Sequence, residues 1–528
     1  MIETALGLQA GFTAPHRIAT KIGIDVLEAG GTAIEAMVAA AAAIAVVYPH
    51  MNSIGGDGFW LIKRPGQAPV AISACGPAAA LATPEWYAAR GHETQLPTRG
   101  ALAALTVPGT VGGWQAALDL VPAAGRWPLA DLLTPAIELC RSGIAVTRNQ
   151  AVTMAEKIAG LRDVPGFAEV YLDAGALPQA GAVLRQTALS DTFAEIAGAG
   201  PDSFYRGDIA RTHARYLEAE GSPLRLADFE AYHAETQAPL RIETSHGTLF
   251  NLGAPTQGMA ALAILGVFDR LGIATGEGFD HIHGLVEATK QAFILRNREL
   301  GDPSAMRAPA QEFLTDARLD AMAAAVDRQS ALPWPHQPKD GDTIWMGATD
   351  RQGTVVSFIQ STFWEFGSGL VCPTTGVAFQ NRGAGFGLAE GPNRLAPGKR
   401  PFHTLNPALA VLKDGRVMAY GTMGGEGQPQ TQSAVFTRYV QFGMPLQEAI
   451  TAPRWLLGKT WGDETTSLKL ESTFNPSVVA ALRAAGHAVE LLPAWSSTMG
   501  HAGAVVRHPD GLVEAASDPR SDGLGYAF

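Results

Sequence analysis

The chain has 528 residues, of which 47 % are hydrophobic and only 17 % charged, a composition that fits a compact enzyme with a large core and argues against a fibrous or disordered protein. A formal net charge of −11, with no Lys or Arg run to offset it, argues against a nucleic-acid partner and favours a small-molecule substrate. The three cysteines, Cys75, Cys140 and Cys372, are widely spaced and form no CxxC pair, so neither a disulfide framework nor a zinc site is expected.

The first residues lack a basic segment followed by an apolar one, and no signal peptide is read there. Residues 16 to 47 read as two helices. Gly30-Gly31 stops the first, and Thr32 with Glu35 forms a capping box that opens the second. The longest apolar run, Ala36 to Val47, has 12 residues. A membrane span needs ~20, so the run is expected to be a buried core helix. No membrane partner is expected, and the expected location is the cytoplasm. A glycine-rich turn over Met51 to Gly58 leads into a strand at Phe59 to Ile62. From about 80 to 330 the pattern is mostly helical, with Pro and Gly punctuation. The helix expected over 281 to 300 carries His283, Glu287 and Lys290 on one side.

The stretch Leu332 to Asp342 is charged and proline-containing, and it reads as an exposed loop. Strands follow at once. Thr343 to Thr349 and Thr354 to Ser361 flank the turn Asp350-Arg351-Gln352-Gly353. Further hairpins are expected at Leu405 to Thr422, turning at Lys413 to Arg416, and at Gly503 to Ala516, turning at Pro509 to Gly511. A helix-rich front thus precedes a strand-rich back.

No GxSxG, GxxxxGK[ST] or HExxH signature occurs, and Gly383 to Gly387 does not complete a dinucleotide fingerprint, so no cofactor is expected. His281 and His283 have no evident third ligand, and no metal is expected. Two features point to chemistry. The first is the Asp342-Thr343 junction between loop and strand. A threonine exposed there by cleavage has its own α-amine as base, with a reference pKa of about 7.7–8.0. The second is Tyr420-Gly421-Thr422-Met423-Gly424-Gly425-Glu426-Gly427, ending a strand and leading into a helical run over Gln430 to Phe442. Adjacent glycines at a helix N-terminus can converge backbone N–H groups on an oxyanion; the plainer alternative is a glycine-rich turn.

The chain resembles the γ-glutamyltranspeptidases and their amidohydrolase relatives among the N-terminal nucleophile hydrolases. The resemblance rests on Ala14-Pro15-His16, Gly30 to Ala33, Tyr48 to Met51, Ile54 to Phe59, Thr106 to Thr110, Glu287-Ala288, Leu300 to Pro303, Phe366 to Gly369, Lys399 to Pro401, Met423 to Gly425 and Ala516 to Ser521. It implies an α+β fold, a four-layer αββα sandwich. It also implies self-cleavage between Asp342 and Thr343 into chains 1–342 and 343–528, which together form one domain; a dimer of such heterodimers is left open. Thr343 falls on the family's nucleophile, Ser361 on a supporting threonine, and Gly424 and Gly425 on the oxyanion-hole pair.

The residues that cradle a γ-glutamyl group are replaced. Ser73 stands for the arginine that binds the α-carboxylate. Phe363, Arg382 and Gly385 stand for the ammonium binders, and His403 and Thr404 for the paired serines. A γ-glutamyl ammonium would meet the Arg382 cation. The pattern is most similar to the oxamate amidohydrolase branch, which releases ammonia and oxalate late in purine and allantoin breakdown. A guanidinium suits that small anionic amide. The alternatives are a γ-glutamyl transferase or hydrolase acting on glutathione-like substrates and a cephalosporin-type acylase.

Overall fold

The computed structural model describes residues 3–335, 341–458 and 466–528. Among these residues two seven-stranded antiparallel sheets stack face to face. Their strands, in chain order, are β1 (Ala5–Gly7), β2 (Gly11–Ala14), β3 (Asp57–Lys63), β4 (Val70–Ala74), β5 (Glu235–Gln237), β6 (Leu240–Glu243), β7 (Gly247–Asn251), β8 (Asp342–Thr349), β9 (Val355–Phe363), β10 (Ala408–Leu412), β11 (Val417–Thr422), β12 (Ala502–Arg507), β13 (Val513–Ser517) and β14 (Leu524–Ala527). The first sheet runs β14-β2-β8-β9-β3-β4-β5 and the second β1-β13-β12-β11-β10-β7-β6.

Helices α1 (Arg17–Glu28), α2 (Ala33–Val47) and α3 (Thr110–Leu118) cover the outer face of the first sheet, whereas α4 (Gly258–Leu271), α5 (Phe279–Glu299) and α6 (Gly427–Phe436) build the layer over the second. Strand alternation feeds separate cores. Trp60, Ile62, Ile344, Met346 and Phe358 pack toward the first helical layer. Phe59, Leu61, Trp345 and Ile359 pack between the sheets, against Phe250, Leu405, Leu409 and Ala419. Ala410, Met418 and Ala504 join the second helical layer. The result is the expected αββα sandwich, and strands buried on both faces explain why β3, β8 and β9 read as apolar runs.

Trp345 fixes how closely the sheets approach. Its indole lies across Gly421 and Gly503, where an added Cβ would come within 2.2 and 2.7 Å of the ring. The capping box at Thr32 and Glu35 is present, and all three expected hairpins form.

The mostly helical stretch also holds strands. Strands β5 to β7 lie inside the stretch read as helical, and they extend both sheets. They have only three to five residues each, too few for a period-2 signal to stand out. The helix after the glycine pair begins at Gly427, ends at Phe436 and continues as a single π-turn over Thr437–Gln441. His336 to Asp340 of the expected loop lie outside the described residues.

Candidate active site

Thr343 lies in the first turn of the pleat of β8 and is 1 % exposed. The register of β8 against β9 shifts between Asp342, opposite Phe363, and Ile344, opposite Gln360. The extra residue is therefore on β9, where Ser361 and Thr362 stand opposite the single residue Thr343, and bulges re-aim side chains beside functional sites. Gln428 Nε2 donates to Thr343 Oγ1 at 3.4 Å. The Gln428 amide is oriented by a backbone donor, Asn406 N–H, which reaches its Oε1 at 3.3 Å. The sequence reading missed Gln428; its signal is its place in the first turn of α6, just behind the glycine pair.

Ser361, buried on β9, accepts the N–H of Phe363 at 2.7 Å. That bond closes a tight turn in which Phe363 holds φ +84, a strained value for a residue with a side chain. The ring of Phe363 then lies 4.0 Å from the guanidinium carbon of Arg382.

Gly424 (φ +115) and Gly425 (φ +50) connect β11 to α6 in conformations that L side chains rarely adopt. The loop is pinned from α4 and α5. Gln257 Nε2 donates to Gly425 O at 2.8 Å and to Thr404 O at 2.7 Å, and its Oε1 accepts from Arg296 Nη1 at 2.9 Å. Arg296 Nη2 pairs with Glu426 at 2.6 Å. Burial lowers the Arg296 pKa, and Glu426 opposes that shift. Gln257, Arg296 and Glu426 were not singled out from the sequence.

Arg382, Phe363, His403 and Thr404 lie together in the structure. Arg382 is 0 % exposed, its Nη1 reaches Thr404 Oγ1 at 3.5 Å, and its Nε and Nη2 make no hydrogen bond among the described residues. Burial lowers its pKa to about 9 against the pull of Asp57. Asp57 is itself pushed up by burial to about 7, although Arg382, Gln380 Nε2 and the N–H groups of Gly76 and Gly109 favour its charged form. His403 Nε2 sits 3.0 Å from Asp57 Oδ2, outside hydrogen-bonding geometry, and burial holds the imidazole well below its ordinary pKa. Ser73, on β4, contacts Cys75 Sγ at 3.5 Å. A cleft of about 290 Å³ beside Phe363 is lined by Trp364, Gly385, Phe386 and Phe402 among others.

Away from this site, the structure supplies the third candidate ligand that the sequence did not reveal. His283, Glu287 and His487 bring ligand atoms within 4.8 Å of one another. His281 stands apart, bonded to Thr437. His283 Nε2 donates to the Asp327 carbonyl, so its Nδ1 accepts from His487 Nε2 at 2.9 Å. The Lys290 ammonium already holds a cation's place, donating to Glu287 and to Leu332 O at 2.6 Å each, while Leu332 N–H donates to Glu287 at 3.1 Å. The cluster thus anchors Leu332, at the start of the expected loop.

The four-layer sandwich and the relatives it matches make the chain a self-processing amidohydrolase of the N-terminal nucleophile type. The family model described as Gamma-glutamyltranspeptidase matches residues 19–528, and the chain belongs to that family. It is 53 % identical over 518 residues, 98 % of each chain, to the oxamate amidohydrolase proenzyme of Klebsiella pneumoniae subsp. pneumoniae. It is 36 % identical over the full length of both chains to the glutathione hydrolase-like YwrD proenzyme of Bacillus subtilis. The crystal structure of a cephalosporin acylase from Bacillus halodurans superposes with a TM-score of 0.91 at 30 % identity, covering 100 % of this chain and 97 % of that one. Among the described residues no helix is long and apolar enough to cross a membrane.

Proposed function

We propose that the protein cuts itself between Asp342 and Thr343 and then hydrolyses a small anionic amide, oxamate, to oxalate and ammonia. In the first step the Thr343 hydroxyl attacks the Asp342 carbonyl and the C–N bond breaks. The resulting ester is hydrolysed, leaving a carboxylate on Asp342 and a free α-amine on Thr343. In turnover that amine takes the proton from Thr343 Oγ1 as the oxygen attacks the amide carbon. The N–H groups of Gly424 and Gly425 receive the oxyanion, ammonia leaves with the transferred proton, and water releases oxalate. Gln428 holds the nucleophile's oxygen, and Ser361 supports it through the Phe363 turn.

The observation that carries this reading is Arg382. Among the described residues two guanidinium nitrogens are buried without acceptors, which is costly, and a substrate carboxylate supplies two acceptor oxygens in matching geometry. The 53 % identity to an oxamate amidohydrolase proenzyme supports the same substrate. Ammonia release from a panel of amides tests it: oxamate should far exceed glutamine and neutral amides of similar size. The second reading, a cephalosporin-type acylase, is favoured by the likeness to the solved acylase and by the cleft beside Phe363; preferential release of a bulky amine in the same panel would select it. The cytoplasmic location, the place in purine breakdown and the pairing of heterodimers belong to the proposal through the family resemblance.

The charge pair predicts a pH effect. Arg382 keeps its proton up to about 9, whereas Asp57 ionises near about 7. Below that point Arg382 faces the substrate with its full charge; above it the Asp57 carboxylate competes for the guanidinium. KM for oxamate should therefore rise as pH climbs from about 7 toward about 9, and Asp57→Asn should flatten the rise. A wild-type KM that is constant over this window contradicts the pairing.

A further inference from the structure

The residue ahead of the scissile aspartate is a glycine, and its surroundings leave no room for anything larger. Gly341 is buried against Gly425. A Cβ on Gly341 would lie 2.8 Å from Thr404 Oγ1, 3.2 Å from Gly425 Cα and 3.3 Å from the Phe363 ring. The contact is reciprocal: a Cβ on Gly425 would lie 2.9 Å from Gly341 O, 3.0 Å from its N and 3.3 Å from its Cα. Two glycine backbones therefore rest on each other at the floor of the substrate site.

Neither side can easily give way. Gly425 O and Thr404 O are both bonded to the Gln257 amide, which Arg296 fixes in turn. Thr404 is buried, β-branched and in contact with Arg382. Phe363 is held in its turn by Ser361.

We propose that Gly341 is a specificity-determining residue of the self-cleavage step. Its backbone docks on Gly425 and so sets the Asp342 carbonyl against the Thr343 hydroxyl. Gly341 takes no part in bond making; it is a positioning residue, and its role ends once the chain is cut. The inference rests on cleavage before Thr343, and the wild-type fragments test that part separately: their N-termini report the cut site whatever Gly341 does.

The test is the rate at which the full-length chain converts to two fragments after synthesis. Gly341→Ala displaces the junction by a few tenths of an ångström to an ångström, and misplacement on that scale costs about 10²-fold in rate. Thr404→Ala in the same chain removes the closest obstacle and should return most of the lost rate. The uncut Gly341→Ala chain should unfold in denaturant at the same midpoint as the uncut Thr343→Ala chain, an outcome that a general folding defect would not give. Should the single variant prove insoluble, the double variant carries the test, and its cleavage at near the wild-type rate supports the docking. Wild-type cleavage by Gly341→Ala, or a slowing that Thr404→Ala leaves untouched, overturns it. If wild-type fragments do not begin at Thr343, the proposed cut site itself is wrong.

Discussion

Arg382→Met should impair turnover of oxamate by ~2–5 kcal/mol, the cost of breaking a buried charge pair by removing one partner. Methionine is similar in length and unbranched, so the Phe363 ring keeps an apolar neighbour where the guanidinium stood. Asp57 then loses the cation that favours its ionised form, and with burial already raising its pKa to about 7 it settles as the neutral acid. The variant thus avoids a stranded carboxylate, and its loss reports on the substrate rather than on folding. Cleavage before Thr343 should proceed, because that step involves no substrate carboxylate. Kinetics on oxamate and on a neutral amide of similar size separate the roles. A loss confined to the anionic substrate is expected; equal losses on both would make Arg382 structural, and unchanged activity on both would remove it from the site.

Arg296→Met should cost stability on a similar scale, about 3–5 kcal/mol, because it leaves Glu426 buried without its partner. The position of Glu426 at the N-cap of α6 softens the loss, since a helix N-terminus favours a carboxylate by roughly 0.3–1 kcal/mol. The Gln257 amide also loses the donor to its Oε1, so the carbonyls of Gly425 and Thr404 are held less firmly. Denaturant unfolding should show the destabilisation, and kcat should fall more than KM changes as the oxyanion loop loosens. A stability change below about 1 kcal/mol would mean that the pair is as weakly coupled as an exposed one.

These residues also mark where the sequence stopped being legible. The capping box of α2 could be read because Thr32 and Glu35 satisfy each other's backbone N–H groups within a single turn. The first hairpin could be read because Asp350 Oδ1 accepts from Thr354 N–H and Gly353 adopts φ +90. Such signals are local chemistry. Arg296 and Glu426 are 130 residues apart, and His283 and His487 are 204 apart. Only the packing of α4, α5 and α6 over the second sheet brings the first pair together, and nothing in residue spacing announces it. Strands β5 to β7 were hidden for another reason: they are too short to carry a period. The loop-to-strand junction at Thr343 and the Gly424-Gly425 turn before a helical run were readable from the residues themselves, whereas Ser361 and Arg382 were singled out only through the family resemblance. What the resemblance left out is the scaffold behind them: Gln257 under the Gly424-Gly425 loop, Gln428 on Thr343, and the glycine contact at Gly341.

The most direct test is intact-mass analysis of the purified protein beside its Thr343→Ala variant. The wild type should resolve into chains of 342 and 186 residues, the second beginning at Thr343, and should hydrolyse oxamate. The variant has no hydroxyl to attack the Asp342 carbonyl, so it should remain a single chain of 528 residues and be inactive. A wild type that stays whole and is nonetheless fully active, or a Thr343→Ala chain that cuts itself at the same bond, would contradict the account.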